Sequence, residues 1–149
     1  CHNQRKLLRV SYSFWKLIMI SILDIKEYPK LTQLAEKVKL DEKIDFKCVF
    51  LCEKDKQENL RGVAGTNFRY LFPRFEHIII RSEDQKTKLG VKLMLATEQF
   101  LRKKKYSYYT CFVLKENLRM RNYAEKFGFK EYSETEKGIW FSKSLKEKI

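Results

Sequence analysis

Glycine and proline are scarce in this chain, with 5 and 2 among 149 residues. So few breakers exclude collagen-like, proline-rich and Gly/Ser-linker architectures. No stretch approaches the roughly 18 apolar residues that a membrane-spanning helix needs. The longest early apolar run, "LIMISIL" from Leu17 to Leu23, is only of strand length. Arg9 and Lys16 interrupt the N-terminal segment and no small-residue cleavage site follows, so no secretory leader is read and a cytoplasmic protein is expected. Histidine is rare, and His2 and His77 lie far apart. The cysteines are Cys1, Cys48, Cys52 and Cys111, and no second Cys/His pair has zinc-site spacing. Buried reduced thiols are therefore expected, with neither a disulfide framework nor a metal site.

What is present is apolar material and positive charge. The hydrophobic fraction is 44% and the aromatic fraction 14%, enough for the core of one domain. The net charge is +13, and residues 1–18 hold Arg5, Lys6, Arg9 and Lys16 without an acid. That balance favours anionic partners such as nucleotide phosphates or nucleic acid, but charge alone defines no function. Residues 1–17 show no clear period and are read as an N-terminal extension. A single domain is expected over 18–149, its first strand headed by Met19.

The periodicities set an element order. "MISILDI" reads as a strand. Leu31, Leu34, Ala35 and Val38 mark one face of a helix that Pro29 can open. "DFKCVFLCE" and "LRGVAGTNFRYL" read as a hairpin, and "FEHIIIR" as a buried strand. Leu89, Leu93, Ala96, Phe100 and Leu101 share one helical face, with Lys92, Glu98, Gln99 and Arg102 on a face read as solvated. A strand "YSYYTCFVL", a helix "NLRMRNYAEKF" stopped by Gly128, and two short strands follow. The order is βα, three strands, then αβαββ. It predicts a mixed α/β (α+β) sheet with helices on its faces.

One stretch is odd. In "SEDQKTKLGVKLML", Ser82–Leu95, a lysine-rich turn runs into a helix that starts with a glycine. Glycine does not help a helix propagate, but it lets the backbone approach a ligand closely. The amides at a helix start also make an anion site.

The order, this turn and a later segment together resemble the GNAT N-acetyltransferases, over about residues 18–145. The turn is similar to the family's acyl-CoA loop, Gln/Arg-x-x-Gly-x-Gly/Ala, with Gln85 first, Gly90 last, and Lys88 in place of the first glycine. "NLRMRNYAEKFGF" is similar to the family's Asn-to-Gly-Phe segment, with Asn117, Gly128 and Phe129 in place. "LRGVAG" resembles the family's third strand.

The resemblance implies a mostly antiparallel sheet of six to seven strands flanked by helices. It implies acetyl-CoA as co-substrate and transfer of the acetyl group to a primary amine by direct attack on the thioester. The cofactor residues it implies are Gln85, Lys86, Thr87, Lys88, Leu89, Gly90 and Val91 around the pyrophosphate. It adds the N–H groups of Ile79, Ile80 and Arg81 along the pantetheine arm, and Asn117 opposite. Asn117 also fits an ordinary helix N-cap. A splay between "FEHIIIR" and "YSYYTCFVL" would admit the cofactor. Family members are often dimers, so a homodimer is allowed.

The catalytic groups depart from the pattern. Ala124 stands where the family places its tyrosine. Tyr123, the candidate acid nearest that position, is one residue earlier, and about 100° of helical rotation turns it away, toward the core. Glu76 is the candidate base, with His77 beside it on the opposite face of the strand. Two other readings are kept. One is a non-catalytic CoA-binding regulatory module on the same fold, suggested by Ala124 and Lys88. The other, ranked last because no RNP-like or KH-like motif appears, is a small basic nucleic-acid-binding protein.

Overall fold

The computed structural model describes residues 19–146, and residues 1–17, read above as an extension, lie outside them. The chain runs β1 (Ile20–Ile22), α1 (Tyr28–Lys37), β2 (Val49–Lys54), β3 (Leu60–Asn67), β4 (Arg74–Ile80), α2 (Leu89–Lys103), β5 (Tyr108–Leu114), α3 (Leu118–Lys126), β6 (Lys130–Glu134) and β7 (Gly138–Ser144). This is the order the periodicities predict. The strands form one sheet in the order β1-β2-β3-β4-β5-β7-β6. Only β4 and β5 are parallel neighbours. The fold is a mixed, mostly antiparallel sheet of seven strands flanked by helices, the architecture the resemblance implies.

Local chemistry explains the elements. Pro29 sits in the first turn of α1, whose Leu31 and Leu34 are buried. The β2–β3 turn is tied by Asp55 Oδ1, which accepts from the N–H groups of Gln57 (2.9 Å) and Asn59 (3.0 Å). α3 ends at Gly128, whose φ of 102° lies in the left-handed region, and Phe129 N–H donates back to Ala124 O at 2.9 Å.

Two cores lie on the two faces of the sheet. Leu31 and Leu34 of α1 pack on Phe50, Cys52, Val63 and Ile79. Leu89, Leu93, Met94 and Leu101 of α2 pack on Ala64, Phe75, Tyr109, Cys111 and Phe141, where α3 adds Ala124. Each large side chain fully buried in this way stabilises the fold by about 1.5–3 kcal/mol. Cys48, Cys52 and Cys111 are free, buried thiols.

The polar face of α2 is only partly solvated, with Gln99 exposed and Arg102 half-buried. Lys92 and Glu98 are both buried. Lys92 pairs with Glu53 of β2. Glu98 accepts from Tyr109 Oη at 2.6 Å and pairs with Lys143 at 2.6 Å. Strands supply partners for residues that a helical pattern alone assigns to water.

Candidate functional site

Parallel pairing of β4 with β5 is confined to two positions, Arg74 with Thr110 and Phe75 with Cys111. Beyond Phe75 the strands diverge. An open cleft of about 730 Å³ lies on the α2 side of this diverging end of β4, lined by β4, the turn before α2, the start of α2 and one face of α3.

The β3–β4 register decides which β4 amides face the gap. Arg81 N–H donates to Arg61 O at 2.9 Å, and the register pairs Val63 with Ile79 and Gly62 with Ile80. Antiparallel ladders alternate, so Ile79 and Arg81 spend their N–H groups on β3 while Ile78 and Ile80 turn theirs toward β5. Of the N–H groups expected along a pantetheine arm, that of Ile80 faces the gap, with Ile78 beside it, while those of Ile79 and Arg81 face β3. Ile79 is buried in the α1-side core. The Arg81 side chain pairs with Asp55 (2.8 Å) and Asp84, beside a smaller depression shared with Lys30 and Asn59.

The turn residues divide in the same way. Gln85, Thr87, Gly90 and Val91 line the cleft. Lys86 and Lys88 are exposed and do not line it, and Leu89 is buried in the core. Lys88 has φ −87°, so the turn holds a side chain there without strain and points it outward. Thr87 Oγ1 donates to Asp84 O at 2.6 Å and accepts from Leu89 N–H at 3.3 Å, which ties the turn to the helix start. The α2 ladder begins with Lys92 N–H donating to Lys88 O at 3.0 Å, so the amides of Gly90 and Val91 remain outside it. A Cβ on Gly90 would meet only Ile78 Cδ1 at 3.6 Å and Tyr123 Oη at 4.0 Å, both ordinary contacts. The packing of the chain itself does not demand glycine at 90.

α3 supplies the far wall through Asn117, Arg119, Met120, Asn122, Tyr123 and Lys126. Asn117 caps the helix, its Oδ1 accepting from Met120 N–H at 3.2 Å, and it also faces the cleft. Arg119 and Lys126 were missed in the sequence, although the 119, 122/123, 126 spacing marks one helix face. Tyr123 packs against the α2-side core, as expected, and also lines the cleft, while Ala124 beside it is 3% exposed in the core. The Tyr123 hydroxyl is buried with no hydrogen-bond partner among the described residues. Burial, and then the charge of Glu98, push its pKa to about 12, so it stays protonated and available as a donor.

At the closed end of the splay, β4 carries an extra residue. Gly65 pairs with His77 and Thr66 with Phe75, which leaves Glu76 bulged. The bulge puts Glu76 and His77 on the same face, not on opposite faces as simple alternation predicts. Donor atoms of Cys48, Glu76 and His77 lie within 4.8 Å of one another. Cys48 Sγ donates to Glu76 Oε2 at 3.4 Å, and Asn67 Nδ2 donates to Glu76 Oε1 at 3.1 Å. Burial and the Glu76 charge push the Cys48 thiol up, so it remains protonated. Asp45 N–H donates to His77 Nε2 at 3.1 Å, which leaves the ring proton on Nδ1, 3.4 Å from Glu42 Oε1. Sequence spacing missed this cluster because Cys48, just before β2, and the β4 residues Glu76 and His77 are brought together only by the sheet.

Comparison with known proteins agrees with this geometry. The acetyltransferase (GNAT) family profile matches residues 15–129. No curated protein matches. Among solved structures, a GNAT-family acetyltransferase from Staphylococcus aureus aligns at 12% identity with a TM-score of 0.69, covering 85% of this chain and 98% of that one. The ribosomal-protein-S18-alanine N-acetyltransferase of Escherichia coli aligns at 14% identity and TM-score 0.69, covering 87% and 94%. PaiA N-acetyltransferase from Thermoplasma acidophilum, solved in complex with coenzyme A, aligns at 15% identity and TM-score 0.67, covering 84% and 98%.

Proposed function

The chain belongs to the GNAT acetyltransferase family, and on that premise we propose that it is an acetyl-CoA-dependent N-acetyltransferase acting on a primary amine. One observation carries the reading. The β4–β5 ladder stops after two pairs, and the gap it leaves runs to the unpaired amides at the start of α2. A thioester cofactor with a pyrophosphate fits that shape end to end. The amides of Gly90 and Val91 and the positive end of the α2 dipole take the pyrophosphate, helped by Lys126 and Arg119. The Ile78 and Ile80 amides take the pantetheine arm as a strand would. The complex of the Thermoplasma relative with coenzyme A supports the choice of cofactor.

The neutral amine attacks the thioester carbonyl, a C–N bond forms, the C–S bond breaks, and coenzyme A leaves as a thiol. The β4 amide nearest the carbonyl stabilises its developing charge, a contribution of several kcal/mol for a well-aimed donor. Glu76, held by Asn67 and Cys48, accepts the amine proton directly or through one water. Tyr123 replaces the family's tyrosine as the hydroxyl donor on α3.

Titration calorimetry with acetyl-CoA and with CoA tests the site, and micromolar binding of either is expected. Thiol release over a panel of amines then tests the reaction. Because Ala124 fills the family's tyrosine position inside the core, binding without turnover across that panel would favour a CoA-binding regulatory module instead. No binding at millimolar ligand would overturn both.

A further inference from the structure

The α1-side face of β5 and β7 presents aromatic rings. Phe112 and Trp140 lie 4.8 Å apart between centroids, and Tyr132, 56% exposed, stands 6.4 Å from Trp140. Arg74, the first residue of β4, enters this wall. Its guanidinium lies 3.5 Å from the Tyr70 ring centroid and 4.5 Å from that of Trp140. Its Nε is buried and has no hydrogen-bond partner among the described residues.

That arrangement is unusual for an arginine. Arg74 as a whole is half-buried. Rings lie against its guanidinium, and its in-plane Nη groups are the fork that fits a carboxylate. A buried Nε–H without an acceptor is costly. Arginines elsewhere in the fold are placed differently, as with Arg61, which reaches Glu53 at 2.7 Å and Asp84 at 2.6 Å.

Arg74 also has a definite place relative to the proposed chemistry. It shares the α1-side face with Glu76, two residues along the same strand, about 7 Å away at strand spacing. Arg74 marks one of the last two paired positions of β4 with β5, and Glu76 sits where they part. Near Glu76, Asp45 is neutralised by Arg69, while Glu42 stands beside His77 and Glu76 has no basic side chain in an ion pair with it among the described residues. A cation-accepting end and an anion-accepting end thus lie side by side on one open sheet face.

We propose that Arg74 anchors the carboxylate of an amino-acid acceptor whose amine is turned toward Glu76. This inference rests on the acetyl-transfer reading and adds the acceptor class to it. The acceptor carries a carboxylate for Arg74 and an amine for Glu76, two residues along the strand, and its apolar part lies against Tyr70 and Trp140.

The test uses the full chain and matched triples: an amino acid, its carboxamide and its decarboxylated amine, as in β-alanine, β-alaninamide and ethylamine, extended to α- and γ-amino acids. Thiol release at saturating acetyl-CoA should show kcat/KM about 10- to 100-fold higher for the acid than for the amide, the scale of a charge-assisted hydrogen bond. Arg74→Gln should erase that preference, and Arg74→Lys should restore only part of it, because an ammonium lacks the fork. Trp140 fluorescence gives a second signal that needs no turnover: the acids, but not the amides, should saturate a change in emission that Arg74→Gln abolishes. Equal use of acid and amide, or a preference that survives Arg74→Gln, overturns the proposal. So does a panel in which neither turnover nor fluorescence separates acid from amide. Acetyl-CoA calorimetry on the same preparations separates these failures from loss of the cofactor site.

Discussion

Gly90 is a helical residue whose side-chain position the surrounding packing leaves open. The space around it, with neighbours at 3.6 and 4.0 Å, admits a Cβ. Gly90→Glu should therefore fold, with a melting temperature within a few degrees of the parent. Its carboxylate would occupy the place assigned to the pyrophosphate, so acetyl-CoA affinity measured by calorimetry should fall at least about 100-fold, by charge repulsion and lost access. Undiminished affinity would remove the turn from the site. Tyr123 makes a second case. Its hydroxyl has no partner to lose among the described residues, so Tyr123→Phe should leave thermal stability unchanged or slightly raised. The rate of acetyl transfer should fall by about 100-fold, the low end for a lost proton donor. An unchanged rate would exclude the hydroxyl from the reaction. The direction of Tyr123 was not legible from helical phase alone. The count from Asn117 and from Gly128 sets only the helical phase; the packing of α3 buries Ala124 and gives Tyr123 contact with both the core and the cleft.

Between elements, charge does what apolar contacts do elsewhere. Lys92 of α2 pairs with Glu53 of β2, Glu53 with Arg61 of β3, Arg61 with Asp84, and Asp84 with Arg81, which reaches Asp55. This alternating chain joins α2 and the β2–β3 hairpin to the short 3-10 turn Ser82–Asp84 that leads into the candidate loop. Arg61, and then Arg81, hold the Asp84 carboxyl below its ordinary pKa. A folded value below the unfolded one means that the contribution is complete above the unfolded pKa, near 4, and is lost as pH falls through the folded value. Asp84→Asn should lower stability at pH 7 by about 3 kcal/mol, the scale for breaking a largely buried pair. It should also flatten the acid limb of a melting-temperature profile below pH 4. A variant profile parallel to the parent's would show that Asp84 is not what titrates there. None of this was readable from α2 alone. The 3.6-residue period located the apolar stripe of Leu89, Leu93 and Leu101, but it assigned Lys92 and Glu98 to water because their partners lie on strands far away in sequence.

For the molecule as a whole, the order of strands and helices was legible because each element carries its own period and its own stop signals. Pairing was less so. Which β4 amides face the cleft depends on the register with β3, and the bulge at Glu76 shifts that register; the glycine beside it, Gly65, lies on β3 rather than on the bulged strand. The net charge of +13 is likewise a property of the whole chain. With Arg119 and Lys126 on the cleft, it should draw a polyanionic cofactor. Raising NaCl from 0.05 to 0.5 M, which shortens the screening length from about 14 to about 4 Å, should weaken acetyl-CoA binding several-fold in calorimetry. An affinity indifferent to salt would mean that lysine and arginine charge plays no part in holding the phosphates.

The two-pair junction between β4 and β5 has a mechanical meaning. The sheet is two plates, β1 to β4 and β5 to β7, butted along a joint of two rungs and braced by α2, which rests on both. A pull across the strands loads every joint alike, and this one, with the fewest rungs, yields first. A molecule that lies in the gap and bonds to both sides adds rungs to it. Such an occupant would be a structural member while it remains, and its departure would return the plates to their softer coupling.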